Sequence, residues 1–141
     1  MSPMKTLLLA SAGAAAGAAF LSAAAPAPAT DALKRGAYLV ERVGLCADCH
    51  TPRNERGEFV AGAHLAGAPI GFAPTVPMPA WAPVAPPLAG LPTMTDAQAL
   101  TFLTTGKKPD GTAPRPPMPD YRFNDEDARA VLAYLRAQGK K

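Results

Sequence analysis

Three observations predict that this chain folds as a small all-α domain. Three stretches carry helical apolar spacing with helix-ending residues, no convincing strand pattern appears, and both cysteines fall in one C-x-x-C-H run, Cys46-Ala47-Asp48-Cys49-His50. That run is the pattern of covalent haem attachment. Two thiols three residues apart share one face of a helical turn, within reach of two vinyl groups on one porphyrin edge. The adjacent His50 can then place its imidazole under the ring as the proximal iron ligand. A tethered haem also gives a 141-residue chain with a modest core something apolar to pack against.

Other readings of the five residues fit less well. A disulfide would close only a two-residue gap and leave His50 without purpose. A thioredoxin-like pair needs a βαβ setting, which the sequence lacks. Zinc would need His64 and a fourth ligand, and the histidine spacing is not that of a zinc site.

Residues 1–29 read as a leader ahead of a single domain, 30–141. Lys5 gives a short positive start, Leu7-Leu8-Leu9 opens an apolar run rich in Ala and Gly, and Ala27-Pro28-Ala29 is an A-x-A site followed by Thr30. Cleavage after Ala29 is expected, because Pro26 disfavours a cut after Ala25. Uncleaved, residues 7–25 would nearly span a bilayer and anchor the protein to a membrane. No cysteine follows the apolar run to carry a lipid. Export to a periplasm or equivalent compartment agrees with the motif, since haem is joined to cysteines outside the cytoplasm. Lys5 is the only one of the 14 Lys and Arg ahead of Thr30, against 11 Asp and Glu overall. The small basic excess, which two haem propionates would offset, and the lack of a long basic run argue against nucleic acid as a partner.

The first helix is predicted over 31–43, with Thr30 as N-cap and Leu33, Ala37 and Val40 on one stripe. Gly36 inside it implies close approach of another helix. After the C-x-x-C-H run, prolines 69, 74, 77, 79, 83, 86, 87 and 92 mark a long loop. Proline lowers the entropy lost in ordering it. Phe72, Val76, Trp81, Val84 and Leu88 are expected to pack on the haem from this loop. A second helix spans 96–104, with a Thr95/Gln98 capping box and Gly106 as its stop. Lys108-Pro109-Asp110-Gly111 then reads as a tight turn. The last helix starts after Asn124. Its first turn is acidic, and Ala128, Val131, Leu132 and Leu135 recur at core spacing, bordered by Tyr134.

A second iron ligand would keep coordination constant through a redox cycle, and a thioether favours ferrous iron. Met78, Met94, Met118 and His64 are the candidates. Met118 is preferred because Pro114-Arg115-Pro116-Pro117-Met118-Pro119 is stiff and directly precedes the last helix.

The chain resembles a class I cytochrome c. The resemblance rests on Gly36-Ala37-Tyr38-Leu39-Val40 ahead of Cys46-Ala47-Asp48-Cys49-His50, on Leu103 to Gly111, on Pro116-Pro117-Met118-Pro119, and on Asp127 to Leu135 with Tyr134. It implies a small cytochrome c-like helical domain with long Pro-rich loops wrapped around one covalent haem c. Cys46 and Cys49 would be the thioether links, and His50 and Met118 the iron ligands. The first and last helices would cross at Gly36. The implied role is single-electron transfer, not enzymatic catalysis. Redox partners would be a dehydrogenase, a terminal oxidase or another cytochrome, with the protein as a soluble shuttle or a dehydrogenase subunit. The alternative is a haem protein with an open distal site, acting as a peroxidase or binding a small gas, with His64 as the only spare base. One family feature is missing: a Gly-Pro soon after the haem histidine, whose proline carbonyl receives the imidazole Nδ1–H. Pro69 or Pro74 could substitute. The haem edge is expected between 49–56 and 107–118, with Arg53, Lys107, Lys108 and Arg115 as a weakly basic rim.

Overall fold

The computed structural model describes residues 29–140. The expected leader falls outside them except for Ala29, which is already helical. Four helices dominate: α1, Ala29–Tyr38; α2, Cys46–His50; α3, Asp96–Thr105; and α4, Asp125–Gln138. A wide π turn, Leu39–Val43, prolongs α1 and closes where the Gly44 N–H donates to Leu39 O at 2.7 Å. Two short strands, β1 (Ala68–Pro69) and β2 (Val84–Ala85), pair antiparallel, Ala68 opposite Ala85. Among the described residues no helix is long and apolar enough to cross a membrane.

The α1–α4 crossing organises the core. A Cβ on Gly36 would lie 2.7 Å from both the carbonyl carbon of Ala130 and the Cβ of Tyr134, so only glycine lets the two backbones meet. Val40, Ala128, Val131, Leu132 and Leu135 are buried around this contact, with Leu39 from the π turn and Ala99 and Leu103 from α3. Arg35 ties the outside of the crossing to Asp127 at 2.7 Å. Helix ends follow local chemistry. Thr95 and Gln98 form the capping box, Gly106 closes α3 in the left-handed region, and Asn124 accepts from the Asp127 N–H. The Lys108–Gly111 turn is closed by the Gly111 N–H on Lys108 O at 2.8 Å.

The structure corrects several expectations. Thr30 is not the N-cap, because Ala29, a strong helix former, extends α1 beyond it. Leu33 lies 38% exposed, off the buried stripe. The β1–β2 pair is real, although two residues per strand leave no periodicity to read. The loop 69–92, here called the strap, presents Phe72 and Val76 to solvent, with Trp81 packed edge-on against Phe72 at 5.6 Å. From Phe59 to Thr95 there is no Asp, Glu, Lys or Arg, so the strap forms no ion pair of its own. At its far end, Arg136 of α4 donates to the carbonyls of Gly90, Leu91 and Met94, and also pairs with Asp96.

Candidate functional site

The π turn delivers the chain to Leu45, whose φ of +49° turns it into α2. A non-glycine residue in the left-handed region costs on the order of 1 kcal/mol, and here it stands directly before Cys46. The one-turn helix α2 sets Cys46 and Cys49 three apart, both free thiols and half-buried. Burial, reinforced by Glu41, pushes the Cys46 thiol up to about 11, so at neutral pH it is a thiol and not a thiolate.

His50 ends α2 and is buried. Its Nδ1 lies 2.7 Å from the carbonyl oxygen of Pro86. A carbonyl can only accept, so Nδ1 carries the proton and Nε2 keeps its lone pair for a metal. Burial pulls the His50 pKa down, against the opposing hydrogen bond to Pro86, which favours the neutral ring that a ligand needs. The supporting carbonyl is therefore that of Pro86, not of Pro69 or Pro74. The β1–β2 pairing explains the choice, because it carries residues 84–86 back beside α2, where Gly67 N–H also meets His50 O at 2.8 Å. Nothing local in the sequence distinguishes Pro86 from its neighbours.

These residues open into a cavity of about 710 Å³, within the range of pockets that hold cofactors. Its walls are largely apolar: Leu39 and Val40, Val84, Pro86 and Leu88 of the strap, Phe102 and Leu103 of α3, and Val131 and Leu135 of α4. Cys46, Cys49, His50, Met94 and Met118 all line it, whereas Met78 and His64 do not. Met78 is 40% exposed on the strap. His64 Nε2 lies 2.8 Å from Glu41 Oε1, which also accepts from the Tyr134 hydroxyl at 2.9 Å. Of the strap residues expected against the haem, Val84 and Leu88 line the cavity, and Phe72, Val76 and Trp81 do not. Of the basic rim, Lys108 and Arg115 line the cavity, with Lys108 paired to Asp110 at 3.4 Å. Arg53 is engaged elsewhere, over the Phe59 ring at 4.1 Å and on Asp48 at 3.2 Å.

Tyr121, which the sequence reading passed over, also lines the cavity and donates from its hydroxyl to Gly44 O, tying the segment after Met118 to the approach to α2. Its position just past Met118-Pro119 was the only available signal. Two thiols on one helical face, a neutral imidazole with a free Nε2, thioether sulfurs and apolar walls form a donor set that fits a flat iron macrocycle tethered through sulfur.

The chain is similar to several curated proteins. It is 32% identical over 114 residues to the fructose dehydrogenase cytochrome subunit of Gluconobacter japonicus, covering 76% of this chain and 22% of the relative. It is 35% identical over 124 residues to the cytochrome c subunit of a quinone alcohol dehydrogenase from Gluconacetobacter polyoxogenes, covering 79% and 26% respectively. A diheme cytochrome c-type protein of Cereibacter sphaeroides matches at 34% over 115 residues, covering 73% and 34%. The chain thus spans between about a fifth and a third of the length of these relatives. The cytochrome c family profile matches residues 33–138, nearly the whole described structure, and the chain belongs to the cytochrome c family.

Proposed function

We propose that the protein is a periplasmic, single-haem electron carrier, exported by residues 1–29, whose domain 30–141 holds haem c through Cys46 and Cys49 with His50 and Met118 on the iron. The observation that carries this reading is the His50 Nδ1–H bond to Pro86 O inside the apolar cavity lined by both thiols. Bound haem supplies an iron that gains or loses one electron. The chain fixes the tautomer of His50, excludes water with apolar walls, and supplies sulfur from a stiff loop. Met118 is favoured over Met94 because Met94 packs against the core formed by α3 and α4, whereas Met118 stands outside that core. The relatives that are dehydrogenase subunits support a dehydrogenase as the redox partner.

The test is an optical spectrum of oxidised and reduced protein, with and without carbon monoxide, plus the mass of the denatured chain. A low-spin spectrum indifferent to carbon monoxide, on a chain heavier by one haem, is expected. Rapid carbon monoxide binding would instead indicate an open distal site, and a bare-chain mass would remove the covalent cofactor altogether.

A further inference from the structure

The loop that carries Met118 is anchored to the strap and not to a helix. Arg115 Nε donates to Ala80 O at 2.9 Å and its Nη2 to Trp81 O at 2.5 Å. One residue on, Pro116 O accepts from the Ala82 N–H at 2.7 Å. The Met118 N–H then turns back on Arg115 O at 3.2 Å. Arg115 is thus the only side chain in this chain of bonds, and it sits at the base of the turn that presents Met118. The strap offers it no acid, since no carboxylate lies between Phe59 and Thr95. The guanidinium instead uses its planar fork on two successive carbonyls, a geometry that an ammonium cannot reproduce.

We infer that Arg115 is a positioning residue for the distal ligand: its fork latches the Met118 loop to Ala80 and Trp81 and so holds the sulfur over the cavity. The inference rests on the ligand assignment above and adds what keeps that ligand in place. Without the fork, two carbonyls lose their partner and the turn is tied to the strap only through Pro116 O. Because the role is geometric, positive charge alone should not restore it.

Trp81, the single tryptophan, is itself a partner of the latch, so its emission would report local movement of the strap independently of redox activity. The experiment compares holoprotein carrying Arg115→Gln, Arg115→Lys and Met118→Ala. It follows the weak red absorption band of methionine-ligated ferric haem, carbon monoxide binding, Trp81 emission and thermal stability. Arg115→Gln and Arg115→Lys are expected to lose the red band at neutral pH, to admit carbon monoxide and to show altered Trp81 emission, with the far-UV spectrum retained. An intact band and unchanged emission in Arg115→Gln, even with a lowered melting temperature, would make the residue merely structural and overturn the latch. Restoration of the wild-type band by Arg115→Lys would overturn it too, by showing that charge and not the fork matters. If Met118→Ala leaves the iron closed, the ligand assignment itself fails. If Met118→Ala opens the iron while Arg115→Gln does not, only the role of Arg115 fails.

Discussion

At the scale of single residues, the site depends on which atoms are free to point inward. Pro86 lends only its carbonyl, and that oxygen decides which imidazole nitrogen of His50 is left with a lone pair. Two thioethers then face the same cavity. Replacing Met118 by alanine is expected to open the distal position and lower the reduction potential, since a sulfur donor favours ferrous iron. Met94→Ala should leave ligation closed and cost less stability than the about 2–5 kcal/mol of a fully buried truncation, since Met94 is only partly buried against the core, and Met78→Ala should change neither. Carbon monoxide titration and redox potentiometry on the three variants check this ordering. An open iron in Met94→Ala with a closed one in Met118→Ala would reverse the assignment.

At the scale of elements, the α1–α4 crossing sets the stability of the domain. Alanine normally favours a helix over glycine by about 1 kcal/mol. At Gly36 the added methyl would meet main-chain carbon of Ala130 at 2.7 Å, which cannot swing aside. Overpacking of this kind costs about 1–3 kcal/mol, so Gly36→Ala should be net destabilising in denaturant titrations. Arg35 and Asp127 link the same two helices. The hydrogen bond from Arg35 holds the Asp127 carboxyl below its usual range, with the attraction of the guanidinium adding to it. The pair's contribution is therefore complete above the ordinary aspartate pKa of about 3.9 and is lost as pH falls through the lower folded value. Melting curves of Asp127→Asn should show a shallower acid decline than the wild type, and the two should converge at the acid end. What was legible in the sequence belongs to this scale. The Asn124 cap, the Thr95 capping box, the Gly106 stop and the glycine at the crossing each declare themselves within a few residues. Pro86, Tyr121 and the carbonyl partners of Arg115 did not, because each depends on a contact 34 residues or more away that only the folded chain creates. The π turn was hidden for a different reason: it closes the helical run at Gly44, so too few residues follow for a shift in the apolar pattern to show.

At the scale of the whole molecule, charge and apolar surface are separated. The strap is uncharged and exposes Phe72, Val76, Met78 and Val84, while Lys108 and Arg115 line the cavity and Lys107 directly precedes Lys108 in the chain. Transient electron-transfer complexes are small, and charges at their rim act mainly on the association rate. Reversing Lys107 and Lys108 to glutamate should slow reduction by an acidic donor at low salt, and the defect should shrink as ionic strength rises. The Asp110 partner of Lys108 makes Lys107 the larger contributor. Stopped-flow reduction over a salt series checks this, and a rate unmoved at low salt would assign both lysines to solubility alone.

The missing charge also decides how the strap can be cut. Trypsin needs Lys or Arg, and between Arg56 and Lys107 there is neither, so the segment that supports His50 is silent to it whether closed or open. Chymotrypsin has Phe72, already 56% exposed, and Trp81, half-buried against it, as sites of unequal access. Cleavage after Trp81 relative to Phe72 therefore serves as a meter of how often the strap lifts, because proteolysis follows the population of the opened form when reclosing outpaces cutting.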